Sequence, residues 1–150
     1  MSTITIHQAT INDLEVLSVL FDGYRQFYGR DSDVAAAKQF LLDRFNHGES
    51  VLFLALEGSN PIGFTQLYPS FSSVSLGRIL ILNDLFVSAS GRRKGAGSAL
   101  LSAAVEYAKA VGAIRLGLST ALTNTTAQAL YEADGWERDD DFFYIYPIRK

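Results

Sequence analysis

A glycine-rich turn between a long apolar run and a helical pattern is the feature that most restricts how this chain can fold. Residues 79–87 are mostly apolar and predict a long central strand. The turn occupies residues 90–98, and residues 98–111 then repeat apolar side chains at a helical period before a further apolar run at 114–119. A strand, helix and strand in this order form a right-handed crossover between parallel strands.

The same turn is suited to bind an anion. It begins a helix whose first N–H groups have no obvious side-chain cap, and the helix dipole adds positive charge there. A phosphate-binding P-loop would need Lys and then Ser or Thr after the last glycine, and a dinucleotide fingerprint would need Gly or Ala where Leu100 stands, so neither motif fits. The turn also contains three consecutive cations and two glycines, whose missing Cβ atoms let the backbone come close to a ligand: Arg92, Arg93, Lys94, Gly95 and Gly97.

The remaining elements place this crossover in a mixed sheet. Strands are predicted at residues 3–7, 51–56, 62–68 and 142–148, and helices from Thr10 or Asn12 to about Gly29, at 33–45 and at 124–134. The order is β-α-α-β-β-β-α-β-α-β, an α/β fold in which antiparallel hairpins flank one parallel pair. The chain of 150 residues is long enough for a single domain over residues 1–150.

Composition narrows the classes of function. The chain has no cysteine, which excludes thiolate chemistry. Its only histidines are His7 and His47, so we expect no metal site. Its net charge of −3 does not favour nucleic-acid binding, and no apolar run is long enough to span a membrane. No signal peptide is recognised at the start, so a cytoplasmic protein is expected.

Two linked motifs resemble those of the GNAT family of N-acetyltransferases. Arg92, Gly95 and Gly97 form an Arg-x-x-Gly-x-Gly pattern similar to the family's pyrophosphate loop, directly after the strand that ends Asn-Asp-Leu-Phe-Val at 83–87. Residues 124–136 resemble its N-x-x-A-x-x-L-Y-x-x-x-G-[FW] signature. The stretch around residues 81–97 is further similar to small histone and polyamine acetyltransferases. The resemblance implies the GNAT fold and transfer of acetyl from acetyl-CoA, without a metal, to an amine.

The resemblance also implies which residues contact acetyl-CoA. Backbone groups of residues 85–87 would hold the pantetheine and polarise the thioester, and the glycine turn would hold the pyrophosphate. Tyr131 matches the tyrosine that protonates the leaving thiolate, although an ordinary core tyrosine is the alternative, and Asn124 is equally suited to cap its helix. The implied cofactor-binding set is Leu85, Phe86, Val87, Arg92, Arg93, Lys94, Gly95, Ala96, Gly97, Ser98, Asn124, Ala127 and Tyr131.

A base is needed because an alkylammonium must lose its proton before it can attack. With no cysteine and no histidine in a partner motif, direct attack by the amine is expected. Asp84 is the candidate catalytic base, with a structural role or a water chain as alternatives. Asn83 and Asp84 are adjacent on one strand, so their side chains are expected on opposite faces.

The acceptor is expected to be a small-molecule or peptide amine. In the family the first two helices and the connection before the long strand wall the acceptor site, which makes Tyr24 and Tyr28 candidate substrate-binding residues, with core tyrosines as the alternative. Asn83, on the strand beside Asp84, is a further candidate substrate-binding residue. The aromatic final strand predicts a homodimer through edge pairing. A non-catalytic acyl-CoA-binding module is the alternative to an enzyme.

Overall fold

The computed structural model describes residues 3–149, and their contacts divide the chain into two units, one ending at Leu118 and the other beginning at Ser119. The first unit contains most of the regular structure, and the second contains one helix. The strands are β1 (Ile4–Gln8), β2 (Val51–Glu57), β3 (Asn60–Ser72), β4 (Gly77–Val87) and β5 (Leu116–Gly117), and the helices are α1 (Leu14–Phe27), α2 (Val34–His47), α3 (Ala96–Ala110) and α4 (Thr125–Ala133).

The sheet of the first unit is mixed, as predicted. Its strands lie in the order β1-β2-β3-β4-β5, with the first three pairs antiparallel and the last pair parallel. The parallel pair is short, because only Leu80 and Ile81 of β4 pair with Leu116 and Gly117 of β5. The predicted strand at 114–119 is therefore reduced to two residues.

A β-bulge interrupts β4 at Asn83. Asp84 pairs with Gln66 and Leu82 pairs with Leu67, which leaves Asn83 without a partner in the register. An extra residue of this kind reverses the alternation of side chains on either side of it. The expectation that Asn83 and Asp84 lie on opposite faces is wrong, since Asn83 Nδ2 donates to Asp84 Oδ1 over 2.7 Å.

Helices α1 and α2 cover one face of the sheet. Asp33 caps α2 by accepting from the N–H of Ala36, and Gly48 ends it in the left-handed conformation at φ 60°. Leucines of α1 and α2 meet those of β2 in a buried core, each worth roughly 2 kcal/mol of transfer free energy. The core residues are Ala9, Leu14, Leu17, Leu20, Phe21, Ala37, Leu41, Leu52, Leu54 and Phe64.

The second unit departs from prediction at its end. Helix α4 forms where expected, but residues 136–149 contain no strand, so the predicted strand at 142–148 is wrong. A strand gains stability from a paired neighbour and a buried face. Here the large apolar side chains from Phe142 to Ile148 are 77–90% exposed. In the part of the chain described, no helix is long and apolar enough to cross a membrane.

Candidate active site

Beyond the end of β5, one edge of β4 has no neighbouring strand among the described residues. Beyond Ile81, residues 82–87 pair with β3 on one side, and no strand within residues 3–149 pairs with them on the other. Backbone N–H and C=O groups on an unpaired strand edge can bind an extended ligand. Leu85, Phe86 and Val87, predicted to contact the cofactor through their backbone, lie on this open segment.

The glycine turn that follows β4 leaves space in front of α3. Gly95 is the N-cap of α3 at φ 84°, and no side chain caps the helix. A Cβ at Gly95 or Gly97 would have no protein atom within 4 Å, whereas one at Gly91 would come within 2.6 Å of Ile62. Gly91 is therefore required by packing, and the two later glycines border open space. A helix N-terminus with uncapped N–H groups and no side chains over it fits a pyrophosphate.

The three cations of the turn are not equivalent. Lys94 Nζ lies 3.0 Å from Glu57 Oε1, and Arg92 Nε donates to the carbonyl of Val87 over 3.3 Å. Arg93 is exposed and adopts a left-handed backbone conformation at φ 64°. Ala96 is buried and can offer only its N–H, and Ser98 is partly exposed. All three cations of the turn are exposed, and the protein orients two of them, Arg92 and Lys94.

Asp84 lies in a buried polar cluster under α1. Its carboxylate is 2% exposed and accepts hydrogen bonds from Asn83 Nδ2 and Gln66 Nε2. Burial raises the pKa of Asp84 above its usual range, and the donors Asn83, Gln66 and Tyr24 oppose that rise. A carboxylate whose pKa is raised in this way is a stronger base than that of an exposed aspartate.

Two tyrosines border this carboxylate. Tyr24 of α1 donates its hydroxyl to the carbonyl of Asn83 over 3.3 Å. Burial, followed by the negative charge of Asp84, raises the pKa of both Tyr24 and Tyr68. Tyr28 stacks edge-on against Tyr24 at 5.1 Å between ring centroids but is mostly exposed.

The structure therefore brings together Tyr24, Asn83 and Asp84, with Tyr28 at the rim. Tyr68 of β3 borders the same cluster, as expected for a tyrosine of the acceptor side, and sequence reasoning missed Gln66, which donates to Asp84 from β3. A glutamine in the mostly apolar run at 62–68 was the available signal, but its pairing with Asp84 depends on the bulge at Asn83.

In the second unit the predicted residues lie on α4 or at its cap. Asn124 Oδ1 accepts from the N–H of Ala127 over 3.2 Å, so the capping interpretation of Asn124 is realised. The ring of Tyr131 lies 6.1 Å from that of Trp136, the last residue of the predicted signature.

Comparison with known proteins gives the class. The acetyltransferase (GNAT) family model matches residues 15–136. An uncharacterized N-acetyltransferase, YhfO of Bacillus subtilis strain 168, is 50% identical over 139 residues, which covers 93% of each chain. The crystal structure of a probable acetyltransferase is 42% identical, with a TM-score of 0.92 and coverage of 97% of this chain and 99% of that one.

An aminoglycoside N-acetyltransferase, AAC(6')-Iy, solved in complex with CoA, shares the fold at 19% identity, with a TM-score of 0.81 over 99% of this chain and 97% of that one. The chain belongs to the GNAT acetyltransferase family, and it is an acyltransferase of the acetyl-CoA-dependent type.

Proposed function

We propose that this protein transfers an acetyl group from acetyl-CoA directly to a primary amine. The observation that carries the proposal is the buried carboxylate of Asp84 beside the open edge of β4, in the same unit as the uncapped N-terminus of α3. The first can hold and deprotonate an amine, and the second can hold a pyrophosphate.

Acetyl-CoA supplies an acetyl group activated as a thioester. Its pyrophosphate would be held by the N–H groups of residues 95–98 and by the exposed Arg93, with Arg92 and Lys94 adding positive charge. Backbone N–H groups of residues 85–87 would hold the pantetheine and polarise the thioester carbonyl. Asn124 and Ala127 are proposed as cofactor contacts on the strength of the family signature at 124–136.

Asp84 is the proposed base for the amine. The ammonium ion gives one proton to the Asp84 carboxylate, and Tyr24 and Asn83 orient the nitrogen, with Tyr28 at the entrance. The amine lone pair then forms the C–N bond as the C–S bond breaks. Tyr131 gives its hydroxyl proton to the leaving thiolate, because a tyrosine hydroxyl is ordinarily protonated at neutral pH. The new amide nitrogen is positively charged after the attack, and it releases its second proton through solvent to the Tyr131 phenolate. Asp84 then returns the first proton to solvent.

The test is acetyl-CoA-dependent thiol release with a panel of polyamines, aminoglycosides, amino acids and lysine peptides. Tyr131→Phe is expected to lower kcat by about 100-fold or more while leaving CoA affinity within about twofold, since the ring that would contact the cofactor is kept and the proton donor is removed. Tyr144→Phe makes the same change at an exposed tyrosine and should match the wild type. The proposal fails if no amine releases thiol, and the acid role fails if Tyr131→Phe keeps the wild-type kcat.

A further inference from the structure

A groove runs from the acceptor cluster toward the end of α2. It has a volume of about 490 Å³ and is lined by Phe40, Arg44, Gly48, Glu49, Tyr68 and Pro69. The charged groups that line it are one arginine and one glutamate, and its walls are otherwise an aromatic pair and small residues. A groove of this size can hold the body of a small molecule.

Tyr68 joins this groove to the buried carboxylate of Asp84. Tyr68 follows Gln66 by two residues on β3, so the two side chains share a face of the sheet, about 7 Å apart along the strand. The negative charge of Asp84 and the positive charge of Arg44 act on the Tyr68 hydroxyl in opposite directions. Gln66, which donates to Asp84, and Tyr68, which lines the groove with Arg44, are therefore two residues apart on one face of β3.

Arg44 is held in place but retains capacity for a ligand. Its guanidinium lies over the Phe40 ring at 4.4 Å, and its Nε is 3.2 Å from Glu49 Oε1 without forming a hydrogen bond. The Arg44 side chain is 26% exposed and that of Glu49 is 53% exposed. A guanidinium has five N–H donors in a fork that matches a carboxylate, so one neighbour at Nε does not exhaust it.

We propose that the acceptor carries a carboxylate, bound by Arg44, several bonds away from the amine that reacts at Asp84. This inference rests on the proposed function, since it assumes that the amine is placed at Asp84. An α-amino acid reacting through its α-amine does not fit, because one carbon separates its two groups while Tyr68 separates the two sites. The substrate class is therefore an ω-amino acid or a compound of similar charge spacing.

Three linear amines of matched length test this class. The probes are 6-aminohexanoate, hexylamine and 1,6-diaminohexane, which end in a carboxylate, a methyl group and a second ammonium. The wild-type kcat/KM for 6-aminohexanoate is expected to exceed those for the other two by about 10- to 100-fold, the effect of a hydrogen-bonded charge pair.

Variants of the charged pair then assign the effect. Arg44→Gln should abolish the preference for 6-aminohexanoate while changing kcat/KM for hexylamine little. Glu49→Gln should increase the preference for 6-aminohexanoate, because it removes a carboxylate that competes for Arg44. Lys109→Gln removes one positive charge from an exposed site on α3 and serves as the control. Preference for the diamine, or a preference that survives Arg44→Gln, would overturn the inference.

A binding measurement separates this inference from the proposed function. In the wild-type protein, addition of 6-aminohexanoate should shift the Arg44 Nε–H resonance, and hexylamine should not. If no amine is acetylated, the proposed function fails, and this titration still decides whether a carboxylate binds at Arg44. Absence of a shift with 6-aminohexanoate at millimolar concentration would overturn the binding of a carboxylate at Arg44.

Discussion

The ionisation of Asp84 depends on two side-chain amides, one from its own strand β4 and one from the neighbouring strand β3. Asn83 Nδ2 donates to one carboxylate oxygen and Gln66 Nε2 to the other. Gln66 is fully buried, and its Oε1 has no hydrogen-bond partner within the described chain. A buried oxygen without a partner destabilises the fold, and the hydrogen bond from Gln66 Nε2 to the Asp84 carboxylate offsets that cost. Gln66 is thereby a positioning residue for the proposed base.

Replacing Gln66 should change the pH dependence of the reaction. Gln66→Met keeps the length of the side chain and removes the hydrogen bond to the charged carboxylate, so the pKa of Asp84 rises further. The acidic limb of kcat/KM should move to higher pH. On that limb kcat/KM should fall by about tenfold, while the plateau at high pH changes little.

Thr65→Val is the matched control for that experiment. Thr65 is equally buried and donates its hydroxyl to the backbone carbonyl of Asp84 over 2.7 Å rather than to the carboxylate. Its loss should lower the free energy of unfolding without moving the pH limb. An unmoved limb in a folded Gln66→Met protein would contradict the positioning role.

At the level of elements, the sequence predicts a helix or turn well where nearby residues determine the hydrogen bonding of its backbone ends. Helix α2 lies close to its predicted bounds because Asp33 and Gly48 are recognisable caps. The glycine turn and the start of α3 were likewise predicted, since uncapped N–H groups and glycines are visible in the sequence. Tertiary partners decide the rest. The bulge at Asn83 and the early end of β5 at Gly117 depend on how three strands align, which no local pattern records.

One buried carboxylate ties α1 to the start of α2. Asp22 is 3% exposed and accepts from Gln26 Nε2, Ser32 Oγ and the N–H of Asp33, at 2.7–2.8 Å. These bonds, that of the Asp33 N–H most of all, hold the pKa of Asp22 below its usual value. Since α1 carries Tyr24 and ends at its C-cap Tyr28, this link fixes the helix that borders the proposed acceptor site.

Asp22→Ala should lower the free energy of unfolding by about 2 kcal/mol at pH 7, because it leaves three donors without their acceptor. A lowered folded-state pKa stabilises the fold above the ordinary pKa near 4 and ceases to do so as pH falls through the lowered value. The difference between wild type and variant in urea denaturation should therefore be constant from pH 7 to 5 and narrow below about pH 4. Asp31→Ala, at an exposed carboxylate of the same connection, should be neutral; an equal loss there would refute the assignment to Asp22.

At the scale of the whole molecule, the end of the chain presents an apolar surface without a partner in the described structure. Phe142, Phe143, Tyr144, Ile145, Tyr146 and Ile148 are all 77% exposed or more. Contiguous apolar side chains of this kind mark interaction sites in soluble proteins. An unpaired apolar segment can also add to the strand edge of a second copy, which is the homodimer that the sequence predicts.

Light scattering should therefore give a mass of about twice 16.5 kDa. Replacing Phe143 and Ile145 together by Glu should shift the mass to that of one chain without loss of helical circular dichroism, since neither side chain contributes to the core. Val74→Glu places one negative charge of the same kind on the exposed hairpin between β3 and β4 and should leave the dimer intact. A monomeric wild type would remove the homodimer, and dissociation by Val74→Glu alone would move the interface from the end of the chain to that hairpin.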